Sequence, residues 1–354
     1  MALAIGLSVG TLSLALAGLA ARSVPPTTAW WLQPIALLLP VLALVSGTMG
    51  VAWLVGALRS GHGLAGWMAV LLLMVAGVVF WRLFGGLERG REETGPAFRV
   101  MTLNSAWSRR GHADEIGRRF SEVEPHVIAL QEISIRPGPE EGQWVAQGAG
   151  LALLEDSTYA LTTLDRPPDP SRWMTNGTAL FSRVPAGLSD PVLLDTTSTT
   201  HSGKYTRTEV QWEGQMVAIY NVHFRSFAAP RPSRVNVRLS EWIAALQASK
   251  NDFTAREAEA RTLRRALESE PLPFIIAGDF NATPDHWSYA HVANGLVDAL
   301  NAVPGLAWTY PDTRPLVRID AVLASSHWAV RRAAVLPPGV SDHRPVLAEL
   351  DLTR

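Results

Sequence analysis

The sequence predicts an α/β protein preceded by three membrane-spanning helices, and two observations carry that reading. Residues 1–87 contain no Asp or Glu and only Arg22, Arg59 and Arg82 as charged residues, with three long apolar stretches among them. From Phe98 onward the pattern changes to short apolar runs of strand length that end in polar residues and alternate with helical stretches. Strands that deliver polar groups at their ends are how layered α/β proteins build a site.

The apolar stretches are residues 2–21, 30–58 and 64–84. At about 1.5 Å per residue, each is long enough to cross a hydrocarbon core of about 30 Å. Pro34 and Pro40 fall inside the second, whose first turns are therefore expected to be kinked or interfacial. Trp30, Trp31, Trp67 and Trp81 lie near the ends, as an aromatic belt would place them. The first stretch has a second reading as a signal peptide, through the small residues of Ala17-Gly-Leu-Ala20. It lacks a basic n-region, so it is read as a retained helix. Arg22, Arg82, Arg89 and Arg91 fall on one side of three spans and Arg59 on the other, a small bias toward a cytoplasmic C-terminal part. The expectation is a multi-pass cell-membrane protein, with the side of the C-terminal part left open. Its divisions are a membrane region over 1–87, a polar linker over 88–97 and an α/β part over 98–354.

Three of the 31 Lys and Arg lie in residues 1–87, which leaves 28 against 32 acidic residues, a net charge of about −4. That balance speaks against nonspecific binding of nucleic acid, which favours a basic surface. The absence of cysteine excludes disulfides and thiolate metal sites.

Strands are expected at 98–104, 127–130 and 176–183, with a helix over 113–123. Residues 205–212 and 216–223 read as a hairpin across Glu213-Gly214. A helix follows over 255–267. The α/β part is organised around Phe274-Ile-Ile-Ala-Gly-Asp-Phe-Asn-Ala-Thr-Pro-Asp285. Its apolar run is a buried strand, and Gly278 marks a bend or a close backbone approach. Asp279 and Asn281, two apart, point to one side of an extended segment, and Pro284 stops continuation. Alone, this is an Asx-type turn capping a core strand. Four segments share the design of an apolar run meeting polar residues: Val100-Met-Thr-Leu-Asn104, Val127-Ile-Ala-Leu-Gln-Glu132, Val217-Ala-Ile-Tyr-Asn-Val-His223 and Arg318-Ile-Asp320. Ser341-Asp-His-Arg-Pro345 leads into the last strand.

In that order these tags resemble the endonuclease/exonuclease/phosphatase superfamily, over about residues 98–352. The superfamily comprises metal-dependent phosphoesterases, among them DNase I-like nucleases, neutral sphingomyelinases and inositol-phosphate phosphatases. The resemblance implies a four-layer α/β sandwich, two sheets flanked by helices, and hydrolysis of a phosphodiester or phosphomonoester with Mg²⁺, or Mn²⁺ as a substitute. It implies Glu132 as the main metal ligand, with Asn104 beside it and Asp342 nearby. Asp279 would position or deprotonate water, and Asn281 would donate to the phosphate. His343, held by Asp320, would contact a phosphoryl oxygen, with His223 on the other side. Arg207 and Arg225 are candidate substrate-binding residues, although Arg207, like Arg256, also fits a structural role. The carboxylate that supports the equivalent of His223 in DNase-like members is not identifiable, with Glu155, Asp165 and Asp169 as candidates.

Each tag also has an ordinary reading: a turn for Asn104, a solvated edge for Glu132, a core histidine for His223, a pair with Arg318 or Arg344 for Asp320, a strand cap for Asp342-His343. Residues 224–252 form an insertion with Arg225, Arg231, Arg234 and Arg238 among apolar residues. It is either a lid that holds phosphate or rests on headgroups, or a solvated helix and loop. Membrane anchoring and the acidic balance favour a lipid-linked or small phosphoester as substrate, with a nuclease as the alternative. The rival of another class is a non-catalytic membrane-bound binding module on the same fold. A transporter accessory role has no support, since no acidic residue lies in the spans to make an ion path.

Overall fold

The computed structural model describes the chain except residues 85–94, 107–119, 121, 141–142, 147, 165–173, 188–190, 195–202, 227–238, 304–305, 338, 340 and 354. The expected linker, apart from its last three residues, and most of the expected helix over 113–123 lie outside the described residues.

The N-terminal part holds α1 (Ala2–Ala20), α2 (Pro26–Ala29), α3 (Leu32–Ala36), α4 (Leu39–Ser60) and α5 (Gly63–Phe84). Of these, α1, α4 and α5 are long and apolar enough to cross a membrane. The stretch expected over 30–58 is not one helix. It breaks between α3 and α4, where Pro40 enters at the start of α4, so only α4 has spanning length. Small residues let the helices approach: a Cβ on Gly50 would lie 2.8 Å from Leu73, and one on Gly18 would lie 3.0 Å from Leu39. Leu3, Leu44, Leu58 and Trp67 are exposed, an apolar surface suited to lipid rather than to water.

From Phe98 the chain builds two sheets. One contains β1 (Phe98–Asn104), β2 (Val127–Pro137), β3 (Trp144–Ala146), β4 (Ala160–Leu164), β5 (Met174–Ser182), β12 (Trp328–Val335) and β13 (Val346–Leu352). Its order is β12-β13-β1-β2-β5-β4, with β3 on β2. The other contains β6 (Pro191–Leu193), β7 (Lys204–Trp212), β8 (Gln215–His223), β9 (Phe274–Asp279), β10 (Val297–Asp298) and β11 (Asp320–Ala324), in the order β10-β11-β9-β8-β7-β6. Val100, Val127, Ala129, Ile219, Ile275 and Ala277 fill the space between the sheets. The opposite face of the first sheet packs on α6 (Ala149–Glu155). The opposite face of the second packs on α7 (Leu239–Glu268) and α8 (Trp287–Ala293). The result is the four-layer sandwich, helices outside two sheets.

The hairpin β7–β8 turns at Glu213 and Gly214, at φ 47° and 78°, the left-handed pair a tight two-residue turn demands. Helix α7 begins well before residue 255, so the latter half of the expected insertion is helix, with Ile243 and Leu246 exposed. Gly278 is a close approach: a Cβ there would sit 1.9 Å from the Val222 carbonyl of the parallel neighbour β8.

The two parts are joined by specific bonds. Buried Gln33 donates through Nε2 to Ala21 O at 3.0 Å and Val24 O at 3.4 Å, and its Oε1 accepts from Trp287 N–H at 3.1 Å. His286 Nε2 lies 3.2 Å from Gln33 O. Thr27 donates its N–H and hydroxyl to Glu257 at 2.7 and 3.0 Å, and Arg82 pairs with Asp285 at 3.0 Å.

Candidate active site

The site forms where β1, β8 and β9 end, where β11 begins, and where β2 is interrupted midway at Glu132. Asp320 was expected at the end of an apolar strand; it is instead the first residue of β11. Because β11 runs antiparallel to β9, its start lies beside the end of β9, with Asp320 opposite Asp279. Strand polarity cannot be read from a tripeptide, which explains the difference.

Glu132 reaches the site through an irregularity. The β2–β5 register shifts between Leu130 and Ile133, and Glu132 sits at φ 49°. For a non-glycine residue this left-handed backbone costs about 1–2 kcal/mol. The bulge turns consecutive side chains to different places. Gln131 points between the sheets, donating to Asn221 Oδ1 at 2.7 Å and Thr102 Oγ1 at 3.1 Å. The Glu132 carboxylate accepts from Asn104 Nδ2 at 3.2 Å, while Ser105 Oγ donates to its carbonyl at 2.9 Å.

Asp279 is fully buried and held on both oxygens. Asn104 Nδ2 donates to Oδ2 at 2.9 Å, Asn281 N–H to Oδ1 at 2.7 Å, and Asn281 Nδ2 to Oδ2 at 3.1 Å. Asn281 is not on an extended segment, as the spacing had suggested. Its φ of 46° turns the amide back, and Nδ2 also donates to Phe224 O at 2.9 Å. Its amide hydrogens are thus taken up by the protein, and it fixes Asp279 rather than pointing outward. Arg256, buried beneath, donates through Nη1 to Asn281 O and so supports that turn. Asn104 clamps the two carboxylates through Nδ2, and its oxygen accepts from Ala106 N–H at 3.0 Å, which leaves a second lone pair.

His343 Nδ1 lies 2.9 and 3.1 Å from the two Asp320 oxygens, and both residues are buried. Burial alone would lower the pKa of the ring, but Asp320 outweighs it and lifts it to about 10. His343 is therefore a cation at neutral pH. Asp279 is raised to about 6, first by burial and then by Asp320. Burial also raises Glu132, against the Asn104 hydrogen bond. His223 is lowered to about 4 by burial and stays neutral. Among the described residues its buried Nε2 has no hydrogen-bond partner; it lies 3.6 Å from Glu132 and 3.9 Å from Asp279.

Three residues that sequence reading missed complete the site. Thr309 Oγ1 accepts from the N–H groups of Ile319 and Asp320 at 3.1 and 3.2 Å, which fixes the start of β11. Ser341 donates to Asn104 O at 2.6 Å and accepts from His343 N–H at 3.1 Å, tying the Asp342-His343 turn to β1. The Tyr310 ring lies against His343, centroids 4.8 Å apart. Ser341 was detectable as the neighbour of Asp342-His343; Thr309 and Tyr310 carry no sequence signal.

Arg207 is a correction. It is bonded to Glu270 at 2.6 and 3.0 Å and to Glu209 at 2.8 Å, which places it in a structural ion pair rather than at the site. Arg225 follows His223 closely, but its Nε bonds Asp252 at 3.1 Å. Arg231, Arg234, Arg238, Asp165 and Asp169 lie outside the described residues. Glu155 ends α6, exposed, with no ion pair to His223 among the described residues.

Two packed sheets with carboxylates, amides and histidines converging at one end define a DNase I-like hydrolase architecture. The sequence pattern of the endonuclease/exonuclease/phosphatase family matches residues 85–343, and the chain belongs to that family of phosphoester hydrolases. A family protein from Leptotrichia buccalis is similar in fold at 17% identity and TM-score 0.53, covering 72% of this chain and 100% of its own. One from Beutenbergia cavernae has 21% identity and TM-score 0.51, over 73% of this chain and 72% of its own. The mannosyl-6-phosphatase of Bacteroides thetaiotaomicron has 17% identity and TM-score 0.50, over 72% of this chain and 100% of its own. A comparison with curated proteins finds no match.

Proposed function

We propose that this chain is a membrane-anchored, divalent-metal-dependent hydrolase of a lipid-linked or small phosphoester. The observation that carries the reading is the pairing of a base held by amides with a buried cation: Asp279, raised to about 6, beside the Asp320–His343 pair. The donors fit a hard cation. Glu132 and Asp342 offer only oxygens, as Mg²⁺ or Mn²⁺ prefers. The unpartnered His223 Nε2, beyond hydrogen-bond distance of Glu132 and Asp279, leaves a polar gap that a cation or an oxyanion would satisfy. A divalent ion held there by Glu132 and Asp342 would supply charge neutralisation to a bound phosphate.

Asp279 accepts the proton of the attacking water, with Asn104 and Asn281 fixing its oxygens. His343 donates to a phosphoryl oxygen as charge develops there, and Asp320 keeps the ring oriented and protonated. Neutral His223 contributes one further polar contact.

The test is turnover of bis-p-nitrophenyl phosphate by the full chain in detergent with Mg²⁺, Mn²⁺ or EDTA, alongside Glu132→Gln and His343→Gln. Metal-dependent turnover lost in both variants supports the reading. A folded protein with neither turnover nor metal binding would favour a binding module instead. Phospholipid and supercoiled plasmid as further substrates separate the lipid preference from the nuclease alternative.

A further inference from the structure

A cavity of about 550 Å³ lies between the apolar helices and the α/β part, within the range of ligand sites. Arg22, Leu37, Trp81 and Arg82 line it from the helical side, and Asp285 and Arg318 from the other. None of the groups gathered at the candidate active site lines it. Arg82 pairs with Asp285 and Arg318 with Asp298, so those charges are balanced. Arg22 lines the cavity, is exposed, and has no ion-pair partner among the described residues.

The place of the cavity names its occupant. Arg22 follows the end of α1 and Arg82 lies in the last turn of α5, while Trp81 is 63% exposed beside it. Span ends marked by Arg and Trp sit at headgroup level. The anion most concentrated there is lipid phosphate, and a guanidinium binds phosphate through parallel N–H bonds. We propose that this cavity binds an anionic glycerophospholipid, its phosphate on Arg22 and the outer edge of Arg82. The glycerol and first methylenes run along Leu37 and Trp81. Free inorganic phosphate uses only the cationic half of such a site and binds weakly. This lipid is a ligand, not the substrate of the hydrolase reading, and the inference goes beyond that reading.

The test titrates the full chain in detergent micelles with dioctanoylphosphatidylglycerol, dioctanoylphosphatidylcholine or inorganic phosphate and follows thermal unfolding. Phosphatidylglycerol is expected to raise the midpoint by about 3–6 °C at saturation, and the other two to leave it unchanged. The shift should fall severalfold in Arg22→Ala, which removes the free charge, and in Leu37→Trp, which fills the apolar wall. Because each shift is measured within one variant, a change in baseline stability does not obscure it. Glu132→Gln should keep the full shift. An equal shift from phosphatidylcholine, or an undiminished one in both cavity variants, overturns the proposal. So does a shift lost only in Glu132→Gln, which would move the lipid to the candidate active site.

Discussion

Asp320 stands directly opposite Asp279 across the antiparallel β9–β11 pair, so two buried carboxylates share one register position. Like charges placed this way repel. The protein divides the burden by giving Asp320 a cationic partner in His343 and Asp279 the amides of Asn104 and Asn281. The repulsion that persists helps lift Asp279 to about 6, and the pairing lifts His343 to about 10.

Those two groups predict a bell-shaped pH profile. In the proposed mechanism Asp279 works as its carboxylate, so kcat/KM should fall as pH drops through about 6; there His343 works as its cation, so the rate should fall again as pH rises toward about 10. Asp320→Asn should move the alkaline limb to lower pH, because the ring loses the charge that holds its proton. A rate profile of both proteins checks this.

Asp279→Asn nearly keeps the shape and removes the proposed base. Turnover should fall by about 10²–10⁴-fold, and thermal stability should fall as well: the new NH2 faces an amide donor where a carboxylate oxygen accepted, which offsets the lost opposition to Asp320. Equal turnover in variant and parent would remove Asp279 from the chemistry.

Arg207→Ala separates structure from substrate binding. The ion pair with Glu270, a nearly buried carboxylate, should be lost at a cost of about 1–3 kcal/mol, discounted because Arg207 is partly exposed. KM should not change. Denaturant unfolding and steady-state kinetics on one preparation give both numbers.

His286 predicts an acid-sensitive junction between the two parts. Its Nδ1 accepts from Thr283 N–H at 2.8 Å, which requires a neutral ring with the proton on Nε2, facing Gln33 O. Burial, reinforced by Arg256, lowers its pKa to about 3. Between the ordinary value of 6.5 and about 3 the unfolded chain takes up a proton that the folded one refuses. Stability should therefore decline as pH falls through that window. His286→Gln should flatten the slope, as read from unfolding midpoints between pH 4 and 7.

Much of this was legible before any coordinates, because the strands are short apolar runs and their polar termini are distinctive. The four layers, the β7–β8 hairpin and the segment through Gly278 and Asp279 followed from pattern and resemblance. What escaped were features set by tertiary geometry. The polarity of β11 depends on its neighbour, and the turned-out Glu132 depends on a register shift relative to β5. The inward amide hydrogens of Asn281 depend on one positive φ. Arg207 stayed open between substrate binding and structure because its partner Glu270 is distant in sequence, and sequence alone does not reveal a counter-ion. The break at Pro40 was expected as a kink and became a separation into two helices.

Gln33 gives the N-terminal helices a property that a simple leash lacks. One side chain closes the polypeptide between α1 and α3 and also satisfies the first N–H of α8. A chimera carrying foreign helices in place of residues 1–84 would leave Trp287 N–H and the His286 ring without these acceptors. The N-terminal helical segment is therefore not exchangeable cargo: it is an integral piece of the scaffold that begins α8, and grafts of the α/β part must carry the stretch around Gln33 with them.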